Sequence, residues 1–256
     1  MSRVAPHPPL TKYYGDPSHR EEFVRDIFDE TAPWYDWATQ FLSFGSGDWY
    51  RREAVRRAGL APGMKLLDLA SGTGVVARAA VQLTNDPRAI VGMDASLGML
   101  VSGRAANPKV QSVAESLSVR DASFDLITIG YALRHFADLE LVFRECRRVL
   151  RPGGKLLVLE ITAPDSRLAR AFLGAYMGGI VPAVIRMRTR SARAAQLYRY
   201  YWETTRDCVR PRVILDAMLA AGLVDAQRRV EMGIFSEYSA LRPPDASLLP
   251  AAPSGS

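Results

Sequence analysis

The sequence predicts an α/β fold, a doubly wound and mostly parallel sheet of seven strands with helices on both faces. Short apolar runs bounded by glycine or proline predict buried strands, as in residues 64–69 (MKLLDL) and 124–129 (FDLITI). Segments with helical periodicity separate these runs, which is typical of right-handed βαβ crossovers. The chain has 256 residues, of which 48% are hydrophobic, and this is enough for one substantial core.

The N-terminal part is predicted to be helical after a loose start. Residues 1–17 are rich in proline, glycine and histidine, and we expect a flexible N-terminus there. Ser18 and Glu21 have the spacing of a capping box, which predicts the start of a helix. Further helices are predicted over residues 33–42 and after Asp48, which makes residues 18–60 an N-terminal helical cap.

The alternating elements follow this cap and define one domain over residues 18–242. Strands are predicted over residues 64–69, 89–93, 109–114, 124–129 and 155–161, with helices over 75–83, 96–104 and 139–150. A helical lid insertion over 162–206 comes next, before a helix over 211–221 and strands over 224–230 and 234–241. The tail, residues 243–256, is rich in proline, alanine and serine, and we expect it to be disordered.

Composition and charge argue against several classes of protein. The net charge is +6 with a pI near 9.5, but arginine supplies nearly all of it, which indicates genome composition rather than a nucleic-acid partner. Cys146 and Cys208 form no C-x-x-C pair, so we predict no metal site and expect reduced thiols in the cytoplasm. There is no signal-peptide pattern, and no apolar run reaches the roughly 18–20 residues of a membrane span.

A glycine-rich turn and an acidic residue indicate an adenosine cofactor. The first strand ends in Asp68-Leu-Ala-Ser-Gly-Thr-Gly74, and Asp94 ends the second strand, where a carboxylate can accept both ribose hydroxyls. Each feature alone has a plainer explanation. The glycine-rich segment could be a tight turn without a ligand, and Asp94 could cap a helix. The third glycine of a dinucleotide site is missing, and no phosphate-binding G-x-x-x-x-G-K-[ST] is present. A carboxylate beside the loop suits a cationic cofactor such as S-adenosyl-L-methionine (SAM).

Several segments along the chain carry a family resemblance. They are residues 28–36 (FDETAPWYD), 42–45 (LSFG), 91–94 (VGMD), 98–100 (GML), 124–136 (FDLITIGYALRHF), 147–160 (RRVLRPGGKLLVLE) and, more weakly, 198–200 (YRY). With these the sequence resembles class I SAM-dependent methyltransferases, and within them the ubiquinone/menaquinone-biosynthesis C-methyltransferases (UbiE/MenG-like). The resemblance covers about residues 22–241. It implies a Rossmann-like class I methyltransferase fold with SAM as cofactor.

The turn and the resemblance together assign a cofactor site. Its expected residues are Asp68, Ala70, Gly72, Thr73, Gly74, Asp94, Ala95, Met99, Ala114, Glu115 and Gly130. The chain departs from the family at several positions in and beside this site. Ser71 replaces a loop glycine, Val75 an acidic residue and Gly130 a serine. Cofactor binding tolerates such changes because backbone groups do much of the work, whereas the choice of acceptor is more sensitive to them.

Candidates for acceptor chemistry follow the fourth strand. A phenolic acceptor must lose its hydroxyl proton before its ring carbon becomes nucleophilic. Arg134 could stabilise a phenolate as a fixed charge, and His135, which stands where the family has asparagine, titrates near neutral pH. Tyr35 matches a family tyrosine near the acceptor. A solvent-facing histidine and a tyrosine that only packs between helices are the alternatives.

The lid insertion is the second informative feature. Residues 171–185 (AFLGAYMGGIVPAVI) are mostly apolar and are followed by arginines, and this run is too short to cross a bilayer. It could wall a lipophilic acceptor pocket, form a homodimer interface or contact a membrane surface. Between Arg186 and Arg212 there are eight arginines against Glu203 and Asp207, which favours a solvated basic face.

These observations predict SAM-dependent methyl transfer to a small hydrophobic phenol or quinone precursor, on a ring carbon. O- or C-methylation of an aromatic or polyketide natural product is an alternative within the same chemistry. An NAD(P)-binding oxidoreductase and a non-catalytic SAM-fold partner protein are alternatives of other classes. The expected partner is the small aromatic substrate, with no nucleic acid.

Overall fold

A seven-stranded sheet forms the centre of the protein in the computed structural model, which describes residues 3–43 and 45–244. The strands are β1 (Leu66–Leu69), β2 (Ile90–Asp94), β3 (Lys109–Gln111), β4 (Phe124–Gly130), β5 (Leu150–Ile161), β6 (Val224–Glu231) and β7 (Phe235–Leu241). Their order is β3-β2-β1-β4-β5-β7-β6, and only β7 runs antiparallel to its two neighbours. The predicted α/β fold class is confirmed.

Helices cover both faces of this sheet. They are α1 (Thr11–Tyr14), α2 (Arg20–Leu42), α3 (Gly47–Arg57), α4 (Val75–Thr84), α5 (Leu97–Ser102), α6 (Leu139–Val149), α7 (Arg167–Gly174), α8 (Val181–Thr189), α9 (Ala192–Arg206) and α10 (Pro211–Ala220). A π-helical turn, Ala175–Ile180, joins α7 to α8 without a break. Apolar side chains of α6 and α10 pack on one face of the sheet, and those of α3 and α4 on the other.

Helix α2 corrects the prediction of two separate N-terminal helices. It is one helix of 23 residues that runs through Pro33, although an interior proline costs a hydrogen bond and about 3 kcal/mol. Its packing against α8 and α9, which lie in the predicted lid insertion, offsets this cost. The capping box is also wrong. Ser18 lies in a short 3₁₀ turn and donates to Asp16, and α2 begins after His19 without a side-chain cap.

The N-terminal segment differs from the flexible one that its composition predicts. The backbone N–H of Leu139 donates to Val4 at 3.0 Å, and that of Val209 donates to Pro6 at 2.7 Å. His7 is buried, and a side-chain nitrogen of Arg20 lies 3.3 Å from its ring. The backbone from residue 3 is therefore fastened to the body of the protein. The tail predicted over 243–256 lies, from residue 245 on, outside the described residues.

The strand ends also differ from the predicted ones, and one helical run is longer than expected. Strand β5 begins at Leu150, because Gly153, with φ 77°, lets the segment predicted as a helix stop continue as strand. The α7–π–α8 run, Arg167–Thr189, has 23 residues and a mean hydropathy of 1.6 in its most apolar window. By length and composition it could cross a membrane, which corrects the expectation drawn from fifteen residues. We call this run the lid helix.

Candidate functional site

A cavity of about 450 Å³ opens at the carboxyl ends of β1, β2 and β4. The chain winds in opposite directions on the two sides of the β1–β4 pair, and α/β proteins bind ligands at such a reversal of strand order. Residues that follow the strands line one end of the cavity, and side chains of α2 and α9 line the other. The fold therefore places the glycine-rich turn and the residues after β4 around one space.

The glycine-rich turn folds tightly against the end of β2. Ala70 and Gly72 have left-handed backbones with φ 53° and 55°. The N–H of Gly72 donates to Asp94 Oδ2 at 2.7 Å, and the N–H of Ser96 donates to Asp94 Oδ1 at 2.8 Å. Asp94 thus holds the loop after β1 and the loop after β2 in place. A left-handed conformation is strained for alanine, and such strain is concentrated at functional sites.

Asp94 itself lines the cavity as well as holding the loops. Burial raises the pKa of its carboxyl, whereas the backbone N–H groups of Ser96 and Gly72 act in the opposite direction. A carboxylate has about four acceptor positions, so acceptor capacity remains for a ligand beside these backbone N–H groups. The two vicinal hydroxyls of a ribose can donate to the free acceptor positions of this carboxylate.

Eight of the predicted cofactor residues line the cavity: Ala70, Gly72, Asp94, Ala95, Met99, Ala114, Glu115 and Gly130. Three others do not. Asp68 lies behind the turn, where it accepts hydrogen bonds from Thr128 Oγ1 at 2.9 Å and from the N–H of Ala77 at 3.0 Å. Burial raises the pKa of this carboxyl to about 7. Asp68 therefore supports the turn and does not face the cavity.

Thr73 and Gly74 are the other two residues that the structure places elsewhere. The Thr73 hydroxyl donates to Asp36 on α2, so it joins that helix to the turn. Gly74 has φ 80° and precedes α4, and a Cβ at this position would lie 3.0 Å from the Cβ of Ala105. Both residues shape the turn from outside the cavity.

The charges that line the cavity fit a cationic ligand. Among the described lining residues the carboxylates are Glu21, Asp94 and Glu115, and the one permanently charged cation is Arg25. A pyrophosphate in this space would meet repulsion from the carboxylates, whereas a sulfonium with an amino-acid tail would meet attraction. The residues present therefore fit SAM better than a dinucleotide.

Aromatic side chains form the other end of the cavity. Phe28 and Tyr35 of α2, Tyr201 of α9, and Tyr131 and His135 after β4 line it. The hydroxyls of Tyr35 and Tyr201 lie 2.8 Å apart, at hydrogen-bond distance. Tyr131, which directly follows β4, has a left-handed backbone with φ 62°, as does Ala70, which directly follows β1. The residue after each of these two strands is therefore strained. Such walls suit a flat apolar ring with a few polar substituents.

His135 lines this aromatic end, but its two ring nitrogens are buried and have no hydrogen-bond partner among the described residues. Its ring lies 5.2 Å from Phe28, 5.6 Å from Tyr200 and 5.4 Å from Tyr201 between centroids. Burial, and then the positive charges of Arg134 and Arg20, lower the pKa of His135 well below 6.5. The imidazole is therefore neutral at pH 7, with one donor and one acceptor unused.

Arg134 does not line the cavity, which corrects the prediction of a direct phenolate clamp. The 3₁₀ turn Leu133–His135 sends its fully buried side chain toward β5, where it pairs with Glu160. Its guanidinium lies over the Tyr201 ring, 4.5 Å from the centroid. Arg134 can therefore influence an acceptor through its electric field and through Tyr201, but not by contact in this conformation.

Tyr201 and Phe28 are two residues of the aromatic end that sequence reasoning missed. Tyr201 lies three residues after Tyr198 on the buried face of α9, so helical periodicity would have directed attention to it. Phe28 begins a segment already noted for its family resemblance, but no role followed from that. Neither position carries a recognisable motif, because both reach the site only through the packing of the lid on α2.

Comparison with known proteins places the chain in a family. The family model described as "ubiE/COQ5 methyltransferase family" matches residues 17–241. A demethylmenaquinone methyltransferase of Mycolicibacterium paratuberculosis is 36% identical over 224 residues, which is 86% of this chain and 94% of that protein. A ubiquinone/menaquinone biosynthesis C-methyltransferase of Shewanella frigidimarina is 34% identical over 212 residues, 79% of this chain and 83% of that protein.

Solved structures share the fold at lower identity. A SAM-dependent methyltransferase from Thermotoga maritima superposes with a TM-score of 0.60 at 18% identity, and covers 85% of this chain and 99% of its own. A phosphoethanolamine N-methyltransferase from Haemonchus contortus, solved with S-adenosylhomocysteine, has a TM-score of 0.61 at 17% identity, with 86% of this chain and 60% of its own covered. These likenesses show the fold.

Proposed function

The chain belongs to the ubiE/COQ5 methyltransferase family, and we propose that this SAM-dependent methyltransferase methylates a ring carbon of a hydrophobic quinone precursor. Its relatives carry the names demethylmenaquinone methyltransferase and ubiquinone/menaquinone biosynthesis C-methyltransferase. The observation that carries the proposal is one cavity that joins Asp94 at the sheet to a set of aromatic side chains under the lid. A cofactor and a ring can meet in it.

We assign the cofactor to the end of the cavity at the sheet. Asp94 would accept the ribose hydroxyls, and Met99 and Ala114 would contact the adenine. The turn at Ala70 and Gly72, with Gly130 opposite, would hold the amino-acid tail. A Cβ at position 130 would lie 2.8 Å from Val76 Cγ2, so glycine permits the close packing of the end of β4 against α4. The cofactor supplies an electrophilic methyl group, and the residues of the protein bind and orient the cofactor and the acceptor.

We assign the acceptor ring to the aromatic end. Tyr35 and Tyr201 stay protonated at pH 7 because burial raises the pKa of both hydroxyls. Their hydroxyl pair would position an oxygen of the acceptor, while Phe28 packs against the ring. Holding the ring carbon in line with the methyl group can contribute about 7–11 kcal/mol to lowering the barrier.

The buried arginines favour the ionised acceptor. Burial lowers the pKa of His135 most, and the positive charges of Arg134 and Arg20 lower it further; the same charges oppose the rise that burial gives to the pKa of a phenol bound beside it. A turn of the imidazole about its Cβ–Cγ bond would bring a nitrogen to the cavity, where the N–H of neutral His135 donates to the phenolate oxygen. With the hydroxyl proton released to solvent, the ring carbon would accept the methyl group that the cofactor supplies, and the proton on that carbon would leave to solvent.

A panel of acceptors tests this function. The purified protein is incubated with SAM and a short-chain naphthoquinol that lacks the ring methyl group, and S-adenosylhomocysteine is measured. The matched controls are the same quinol already methylated on the ring and the same quinol with its hydroxyls blocked. We expect turnover with the first compound alone. Turnover with the ring-methylated control, or none with any acceptor while SAM binds, would contradict the proposal.

We also propose that the reaction takes place in the cytoplasm. Cys146 and Cys208 are both unpaired, and the pKa of each thiol is raised by burial. Neutral thiols of this kind are poor nucleophiles and suit a reducing compartment.

A further inference from the structure

The lid helix exposes an apolar side that no described part of the chain covers. Leu168, Phe172, Ile180 and Met187 are 81%, 75%, 54% and 74% exposed. Small exposed residues lie between them, and only 22% of the most apolar window of this helix is buried. Large apolar side chains exposed together along one helix mark an interaction surface rather than chance.

The opposite side of the lid helix is firmly packed. Met177, Val181 and Ile185 are buried, the latter two among the side chains of α2 and α9. Gly174 and Gly178 lie against the indole of Trp202, where an added Cβ would come within 2.8 Å of the ring. Because this packing fixes the orientation of the helix, the apolar side stays outward in the folded protein.

The charge that the lid segment itself carries is of one sign. Residues 166–202 contain no aspartate or glutamate and seven arginines: Arg167, Arg170, Arg186, Arg188, Arg190, Arg193 and Arg199. The first two flank one end of the lid helix, and the next three flank the other. An apolar stripe bordered by arginines is complementary to a layer of anionic phospholipid, whose phosphates meet the arginines and whose acyl chains meet the stripe. Two copies of this face would repel each other.

We propose that the lid helix docks flat on an anionic lipid surface, with Leu168, Phe172, Ile180 and Met187 at the level of the acyl chains. The surface is independent of the acceptor assignment, since it needs neither cofactor nor substrate. Its position has a consequence for that assignment. Helices α2 and α9, which hold the lid, also carry Phe28, Tyr35 and Tyr201, so docking brings the aromatic end of the cavity next to the lipid.

Vesicle sedimentation tests the docking surface. The full chain, without SAM or acceptor, is mixed with vesicles of phosphatidylcholine alone or of phosphatidylcholine with phosphatidylglycerol. We expect binding to the second kind, reduced at least tenfold in the variant Leu168→Ser/Phe172→Ser and in Arg186→Gln/Arg188→Gln. The matched control is Val101→Ser/Met232→Ser, which removes side chains that are 76% and 79% exposed elsewhere, and it should bind as the parent does.

The remaining outcomes are also decisive. Equal binding by all variants, or no binding to anionic vesicles, overturns the proposal. Retention on the vesicles after a carbonate wash overturns flat docking and assigns a spanning helix. A dimer in light scattering that Leu168→Ser/Phe172→Ser abolishes assigns the face to a second copy. Turnover of a water-soluble acceptor should be the same in all variants, so failure of the docking surface and failure of the proposed function are separable.

Discussion

Two ionisable side chains that line the cavity, Asp94 and His135, define its chemistry at the scale of single residues. Asp94 has its backbone partners in place and acceptor positions left over. His135 has no partner for either nitrogen. A buried polar group without a partner costs about 1–3 kcal/mol, and this cost is removed when a ligand supplies the partner.

The first prediction concerns Asp94. Asp94→Ala removes the ribose acceptor and also frees the N–H groups of Gly72 and Ser96, so SAM affinity should fall by about 1–3 kcal/mol, roughly 5- to 150-fold. Calorimetric titration measures it. Asp86→Ala is the control, because Asp86 makes a similar bond to a backbone N–H, that of Arg88, at an exposed turn. An unchanged dissociation constant for Asp94→Ala would remove it from the cofactor site.

The second prediction concerns pH. His135 has a pKa well below its unfolded value of about 6.5, so below that pH the unfolded chain binds a proton that the folded protein does not. Stability from this group is complete above about pH 6.5 and is lost as the pH falls through the range below. His135→Gln removes this dependence. We expect its melting temperature to fall less between about pH 7.5 and 5.5 than that of the parent.

Parallel melting curves of the parent and the variant isolate the histidine, since His7 and the buried carboxyls contribute equally to both. Identical slopes in the two proteins would mean that His135 is protonated, or exposed, in the folded state. The same pair also reports on acceptor chemistry, because a glutamine amide can still donate a hydrogen bond while it cannot take up a proton.

At the scale of helices and strands, some elements could be predicted from the sequence and others could not. The strands were predictable because apolar runs and glycine turns are local. The helix predicted from residue 96 begins at that place for the same reason, since Ser96 Oγ accepts a hydrogen bond from the N–H of Met99. The continuity of α2 through Pro33 was not, because its tertiary packing outweighs the local penalty. Spacing also fails to say which way a side chain points at a strand end. Asp68 and Arg134 therefore look like site residues in sequence and turn out to face away from the cavity.

The third prediction concerns the pairing of the turn after β4 with β5. Arg134→Met leaves Glu160 buried without its cation and should cost about 3–5 kcal/mol in free energy of unfolding. Adding Glu160→Gln should recover most of that loss. If the field of Arg134 favours the phenolate, the folded double variant keeps SAM affinity and loses turnover. Equal loss of both would show that the pair is only structural.

The fourth prediction concerns the contact between the lid helix and α9. Gly178→Ala places a methyl group 2.8 Å from Trp202 Cδ1, and overpacking of this kind costs about 1–3 kcal/mol. Gly179→Ala is the matched control. It has no atom within 4 Å of the new Cβ, so it should gain up to about 1 kcal/mol from helix propensity. Melting temperatures should move in opposite directions, and a shift of both variants in the same direction would contradict the close packing.

At the scale of the whole molecule, α2 connects the two ends of the cavity. Asp29 accepts hydrogen bonds from Ser96 Oγ at 2.5 Å and from the N–H of Gly98 at 2.8 Å, and Asp36 accepts from Thr73 and from Arg78 Nη1 at 3.3 Å. The same helix contributes Phe28 and Tyr35 to the aromatic end. The cofactor loops and the acceptor walls are therefore one mechanical unit. Sequence reasoning found the loops, but this connection exists only in the folded protein.

The position of the transferred methyl group tests the central claim most directly. The protein is incubated with a reduced naphthoquinol that lacks the ring methyl group and with SAM labelled with ¹³C in its methyl group, and the product is analysed by NMR. A cavity that holds the phenolate oxygen at His135 and the ring carbon toward the methyl group predicts label on a ring carbon alone. Label on a hydroxyl oxygen, or an unmethylated quinol in the presence of bound SAM, would contradict it.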